Sequence, residues 1–100
     1  GFFYRKAKAY DLVDTLEIRY FIHQIRLHLG IRRKMETDEL ASVILKRHQD
    51  GIDISIIRDI LAESKNPDPK DLLYRRWVRT NILEKIVSES RKTKTYKEKS

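Results

Sequence analysis

Three histidines are the side chains of this sequence whose type best suits metal binding: His23, His28 and His48. A zinc site on a helix needs ligands about three or four residues apart, because only then do they share one face. His23 and His28 are five residues apart, and the chain has no cysteine that could complete a site. We therefore expect no metal site and no bound cofactor.

Two pairs of aspartates could in principle provide acid–base catalysis. Asp11 and Asp14 stand at helical spacing, and Asp50 and Asp53 lie across a predicted turn. General acid–base chemistry needs a pocket that separates the pKa values of two groups. The sequence indicates no such pocket, and helix caps and solvated helix faces explain these residues. With no serine elbow and no glycine-rich phosphate loop either, we expect that the protein is not an enzyme.

The composition indicates one folded domain with an uneven distribution of charge. The chain has 100 residues, of which 40% are hydrophobic and 37% charged, and its net charge is +7. Residues 1–34 carry eight basic and three acidic side chains, residues 35–88 carry nine and ten, and residues 89–100 carry five and two. The positive charge is therefore at the two ends, which favours an anionic partner for the ends.

The pattern of apolar residues, caps and breakers predicts helices and no strand. We expect helices from about Ala9 to Gly30, Thr37 to Gln49, Ile54 to Glu63 and Pro69 to Ser88, with Thr37, Asp53 and Asp68 as caps. The fold class is therefore all-α, a compact bundle of about four helices over residues 1–88. Residues 89–100 have no apolar stripe, and we expect a disordered basic C-terminal tail.

The first predicted helix has two apolar faces. Its apolar residues fall into the sets Ile18, Phe21, Ile22, Ile25, Leu29 and Leu12, Val13, Leu16, Tyr20, Leu27. A helix that is apolar on two sides is normally buried on two sides. Burial of both faces in the core is the favoured interpretation. A helix that packs on the domain with one face and on a partner with the other is the alternative.

Arginines surround the single tryptophan on the last predicted helix: Arg75, Arg76, Trp77 and Arg79. Arginine and tryptophan together can form a binding hot spot, so these four residues are a candidate partner patch. The favoured interpretation is that Trp77 is the largest anchor of the core. The arginines would then be solvated, or paired with acids such as Asp71.

The start of the chain has the pattern of a membrane flank. Aromatic residues 2–4 are followed directly by Arg5, Lys6 and Lys8. Aromatic belts and cytoplasmic basic residues border membrane segments in this order. We expect these three basic residues to lie close to an anionic membrane surface. The alternative is that the aromatic rings simply pack on the body of the domain.

The segment from Thr37 to Leu61 also has the order of a helix–turn–helix motif. The spacing between its helices is too long for the compact form of that motif. Its second helix would expose Ser55, Arg58, Asp59 and Glu63, a poor set for a phosphate-lined groove. A nucleic-acid-binding domain that uses Arg58 and the basic triplet at residues 32–34 is therefore kept as the alternative function.

The chain resembles a family of prokaryotic membrane proteins of unknown function that are encoded beside MoxR-type AAA ATPases. The resemblance is to their C-terminal helical domain and covers most of residues 2–87. It is carried by Phe3-Tyr4-Arg5, Ile18-Arg19-Tyr20-Phe21, Ile25-Arg26, Asp38-Glu39-Leu40, Gly51-Ile52-Asp53 and Ser64-Lys65. The loop at residues 31–36 departs from the family in being more basic. The resemblance implies a non-enzymatic, membrane-tethered docking domain on the cytoplasmic side of the cell membrane, with a protein partner such as an AAA ATPase.

Overall fold

A computed structural model describes the backbone of residues 2–47, 51–65 and 68–99, and side chains within residues 12–47, 51–65 and 68–90. These residues form α1 (Phe2–Leu29), α2 (Thr37–Arg47), α3 (Ile54–Leu61) and α4 (Pro69–Lys99). No strand occurs among them. The prediction of an all-α bundle with about four helices is confirmed.

Local sequence signals fix several of the helix ends. Gly30 ends α1 in the left-handed region at φ 67°. The amide of Gly30 donates to the carbonyl of Leu27, and that of Ile31 donates to the carbonyl of Arg26. This pair of bonds is the Schellman arrangement, which satisfies carbonyls that the end of a helix would otherwise leave without a donor.

Two of the predicted caps make their expected hydrogen bonds. The amide of Ser55 donates to Oδ1 of Asp53 over 3.1 Å at the start of α3. The amide of Asp71 donates to Oδ1 of Asp68 over 2.8 Å at the start of α4. Side-chain oxygens at this position satisfy the free amides of a first helical turn, so both predicted helix starts are confirmed.

The bounds of the long helices differ from prediction. α1 begins at Phe2 rather than near Ala9, and α4 continues to Lys99 rather than ending near Ser88. The predicted end of α2 falls within residues 48–50, outside the described residues. Most of the predicted tail at residues 89–100 lies outside the described side chains, and its disorder stays a prediction.

One hydrophobic core joins all four helices. Its buried members are Phe21 and Ile25 of α1, Leu40, Ala41 and Ile44 of α2, Ile57, Ile60 and Leu61 of α3, and Val78, Ile82 and Ile86 of α4. They recur at the three- and four-residue spacing that places side chains on one helix face. Removing this apolar area from water is the main force that holds the helices together.

α1 and α4 lie side by side and run parallel, because their contacts advance together along both helices. Asp14 pairs with Arg75, Glu17 pairs with Arg76, and further along both helices Phe21 and Leu83 line one groove. The first residues of α1 and the last residues of α4 therefore lie at opposite ends of this pair. The two basic ends of the chain are on these opposite ends.

α2 and α3 cover only one side of the α1–α4 pair. On that side the hydroxyl of Thr15 donates to Glu63, just after α3, over 3.0 Å. Tyr20 projects about 140° away from Thr15 around α1, at about 100° per residue, and its side chain is exposed. The opposite side of the pair is thus left uncovered.

Two predictions about burial are wrong. The second apolar face of α1 is exposed at all five of its positions: Leu12, Val13, Leu16, Tyr20 and Leu27. Trp77 is not the anchor of the core, because it is 65% exposed.

In the described part of the chain, no helix is long and apolar enough to cross a membrane.

Candidate docking surface

Three charged side chains are buried where α1, α3 and α4 meet. Asp14 of α1 is 1% exposed, and Arg75 and Arg79 of α4 are 1% and 4% exposed. Burying a charge is unfavourable unless it is paired and hydrogen-bonded. The surroundings of each of these groups therefore determine whether this arrangement is stable.

The carboxylate of Asp14 accepts hydrogen bonds on both oxygens. Oδ1 accepts from Nη2 of Arg79 over 2.9 Å and from Nε of Arg75 over 3.3 Å. Oδ2 accepts from the amide of Ser64 over 2.8 Å and from Nη2 of Arg75 over 3.2 Å. Asp14 thus ties α1 to α4 and to the loop after α3.

The two arginines also bind the end of α3. Nη1 of Arg75 donates to the carbonyl of Asp59 over 2.7 Å, and its Nη2 donates to the carbonyl of Ala62. Nε of Arg79 donates to the carbonyl of Ile60 over 3.0 Å. The last carbonyls of a helix lack donors of their own and carry partial negative charge, so cations are favourable there.

The pKa values of this cluster reflect competition between burial and pairing. Burial acts to raise the pKa of Asp14, but the hydrogen bonds from Ser64, Arg79 and Arg75 outweigh it and hold that pKa below its ordinary value. Burial lowers the pKa of Arg79, against the opposing effect of its hydrogen bond to Asp14. The cluster is therefore an ion-pair network with Asp14 charged at neutral pH.

This network is enclosed and serves the fold. Asp14 is surrounded by donors on both oxygens and is inaccessible to a substrate. The interpretation of Asp14 as part of a solvated helix face or a cap is wrong, because its side chain is buried in this network. The sequence position of Asp14 could have indicated its burial. Asp14, Ile18, Phe21 and Ile25 recur at helical spacing and lie on the buried face of α1.

A groove runs between α1 and α4 on the side of this helix pair that α2 and α3 leave uncovered. It is lined by Glu17, Tyr20, Phe21, Arg76, Arg79, Thr80 and Leu83. Nε of Arg76 donates to Oε1 of Glu17 over 2.8 Å, which forms an ion pair across the groove. The side chain of Arg76 remains about half exposed in this ion pair.

Exposed apolar side chains lie beside this groove. At about 100° per residue, Val13 and Leu16 project within about 40° of Tyr20 around α1, and Leu73 lies between Arg76 and Trp77 around α4. We call the outer face the set Val13, Leu16 and Tyr20 of α1 with Leu73, Arg76 and Trp77 of α4. All five of its apolar members are large and exposed. A concentration of large apolar side chains on one side of a small domain is typical of an interaction surface.

The predicted partner patch is divided by the structure. Arg76 and Trp77 belong to the outer face, whereas Arg75 and Arg79 are buried in the ion-pair network with Asp14. Arg75 pairs with Asp14 rather than with Asp71. Arg5, Lys6 and Lys8, which were predicted to lie close to a membrane, are outside the described side chains, and their role stays a prediction.

Two further expectations from the sequence were the absence of a metal site and, as an alternative function, nucleic-acid binding. The described residues contain no group of histidine and acidic side chains that could hold a metal ion. In the predicted helix–turn–helix, Nε of Arg58 lies 3.0 Å from Oδ1 of Asp38, which pairs α3 with α2. The cation on which the nucleic-acid alternative depends is therefore partly neutralised, and that alternative stays an untested prediction.

Comparison with family models, with curated proteins and with solved structures finds no match.

Proposed function

We propose that this protein is a docking domain that binds an acidic amphipathic helix of another protein on its outer face. The domain is tethered to a membrane through the start of α1 and lies on the cytoplasmic side. The observation that carries the docking proposal is the exposure of Trp77, Tyr20, Leu16 and Leu73 on the side that α2 and α3 leave uncovered.

The chemistry of the outer face suits protein binding. Tryptophan, tyrosine and arginine are the residues that most often dominate the energetics of protein interfaces. They occur together here as Trp77, Tyr20 and Arg76. Tyr20 and Arg76 also line the groove, and a helix that lies along two parallel helices buries the apolar side chains of all three.

Charge favours an acidic partner over a second copy of this chain. The chain carries a net charge of +7, so two copies repel each other. On the outer face Arg76 is the exposed cation, and its present partner Glu17 is partly buried. An acidic side chain of the incoming helix would add a second anion to Arg76, where the opposite charges also speed association.

Site-specific photocrosslinking in the native cell tests the docking proposal. A photoreactive residue at position 77 or 16 is expected to crosslink to one protein, and the same residue at Ser42, which is exposed on α2, is not. The crosslinked protein is then purified for binding measurements. Trp77→Ala and Leu16→Ala are expected to lower its affinity at least about tenfold, since each removes a central contact, and Ser42→Ala is the matched control.

The same binding measurement tests the chemistry of the partner. Neutralising the acidic residues of its bound helix is expected to weaken binding, most strongly at low salt. Unchanged affinity in the Trp77→Ala and Leu16→Ala variants would refute docking on the outer face. Crosslinks between copies of this chain, with a dimer that Trp77→Ala dissociates, would replace the foreign helix with a second copy.

The tether is tested separately. Each basic residue near an anionic lipid surface contributes about 1 kcal/mol to binding. The full chain is expected to cosediment with vesicles of anionic lipid and less with neutral ones. Replacing Arg5, Lys6 and Lys8 with glutamine should lower that binding, whereas replacing Lys92, Lys94 and Lys97 should not, since α1 and α4 put the two sets at opposite ends. Equal binding to both vesicle types would refute the tether.

A further inference from the structure

A second groove lies beside the end of α1, where the chain turns into the loop before α2. It is lined by Arg19, Ile22, His23, Arg26, Leu27, Gly30, Ile31 and Arg32. Three of these side chains are arginines, and none is acidic. A groove that gathers cations without an acidic side chain concentrates positive potential at one point of the surface.

The arginines of this groove are not neutralised by neighbours. Among the described residues, Arg19, Arg26 and Arg32 form no ion pair with an acidic side chain. The adjacent Arg33 differs, because it pairs with Glu39 and does not line the groove. The charge of the groove is therefore available to a ligand.

Arg26 holds the groove in shape. Its Nη2 donates to the carbonyls of Arg32 over 3.3 Å and Arg33 over 3.1 Å, which fastens the loop to α1. Its Nε is buried and has no hydrogen-bond partner in the part of the chain that the structure describes. The Schellman turn at Gly30 fixes the same loop from the other side. Arg32 is thus brought to the groove by a backbone that is already ordered.

We propose that this groove binds the phosphate group of a phosphomonoester. Arginine recognises phosphate through paired N–H donors on its planar guanidinium group. Arg19 and Arg32 are both exposed, so their guanidinium groups can reach a ligand in the groove. Ile22, Leu27 and Ile31 provide apolar walls, where electrostatic attraction is less weakened than in open water.

This site is distinct from the outer face. Arg19 and Tyr20 are consecutive residues of α1 and project about 100° apart. Tyr20 lines the groove shared with α4, whereas Arg19 lines the groove shared with the loop. Occupancy of the phosphate site therefore does not depend on the proposed docking function, and either can fail alone.

Titration of the ¹⁵N-labelled chain with inorganic phosphate, at ionic strength matched with chloride, tests the site. Saturable shifts are expected at the amides of residues 19–32. Arg19→Gln and Arg32→Gln should each weaken binding at least about fivefold, because each removes one guanidinium fork. Lys70→Gln is the matched control, since Lys70 is exposed, does not line the groove and loses the same charge.

Three further probes identify the source of the phosphate. Saturable binding of adenosine monophosphate indicates a soluble phosphomonoester, and binding to phosphatidic acid vesicles without it indicates a lipid headgroup. Either result supports the proposal when Arg19→Gln and Arg32→Gln reduce it. Shifts that do not saturate, or that the two variants leave unchanged, would overturn it. Binding to duplex DNA without binding to phosphate would also overturn it, in favour of an extended nucleic-acid surface.

Discussion

The two sides of the α1–α4 pair depart from the usual rule that charged side chains are exposed and large apolar side chains are buried. Its covered side buries a carboxylate and two guanidinium groups, and its uncovered side exposes the single tryptophan together with a tyrosine and three aliphatic residues. The boundary between the two sides falls between consecutive residues of α1, since Tyr20 is 62% exposed and Phe21 is 2% exposed. Hydrophobicity alone therefore does not determine which side of the pair is covered.

The difference is explained by what packs on each side. α3 ends against α4, and its last carbonyls need donors when they are taken out of water. Arg75 and Arg79 provide those donors, and the carboxylate of Asp14 pairs with both of them. Among the described residues, no helix end of this kind packs on the uncovered side, where the apolar side chains are exposed.

The largest effect is expected from removing the buried anion. Asp14→Ala removes the buried carboxylate that Arg75 and Arg79 share, and breaking a buried ion pair in this way typically destabilises a fold by about 3–5 kcal/mol. Urea unfolding followed by circular dichroism measures this loss. Glu84→Ala, on the exposed part of α4, is the control and should have little effect. A loss below about 1 kcal/mol for Asp14→Ala would show that the network is not needed for the fold.

A pair of neighbouring substitutions tests the boundary between the two sides. Phe21→Ala should lower the free energy of unfolding by about 3–5 kcal/mol, because it opens a cavity in the core. Tyr20→Ala should change it by no more than about 0.5 kcal/mol, as is usual for exposed positions. The same urea experiment compares them, and equal losses would mean that both faces of α1 are buried in solution.

Acid should weaken the covered side through Asp14. Its pKa in the folded state lies below the ordinary value of 3.8. The stabilisation is therefore fully present above that ordinary value and is lost as the pH falls from there toward the folded pKa. Unfolding measured between pH 6 and pH 2, a range of about four units, should show a steeper loss for the natural chain than for Asp14→Asn. Parallel curves would contradict this assignment.

The smallest effect on stability is expected on the uncovered side. Trp77→Ala should change the free energy of unfolding by no more than about 0.5 kcal/mol, because Trp77 is largely exposed. Arg75→Met, two positions earlier, removes a buried cation and its bonds to α3 and should cost much more. A large loss for Trp77→Ala would indicate that the outer face is already covered in the isolated chain, for example by a second copy.

Much of the local structure could be predicted from the sequence. Gly30 ends α1, and Asp53 and Asp68 cap α3 and α4, because each of these signals acts within a few residues. The all-α class follows in the same way from the spacing of apolar residues. The candidate site was only partly predictable, since Trp77 and Arg76 were singled out with two arginines that are in fact buried.

The sequence by itself determined the number of helices in the described residues, the caps of α3 and α4 and the two apolar faces of α1, because these depend on residues a few positions apart along the chain. Thr37, predicted as a cap, is instead the first residue of α2. Only the tertiary structure decided which face is covered. That choice depends on where α3 ends, and the contacts that fix it join Asp14 to residues 50 and more positions away. The physical reason is that the carbonyls at the end of α3 need donors in the interior, so the arginines of α4 are buried and its tryptophan is left outside.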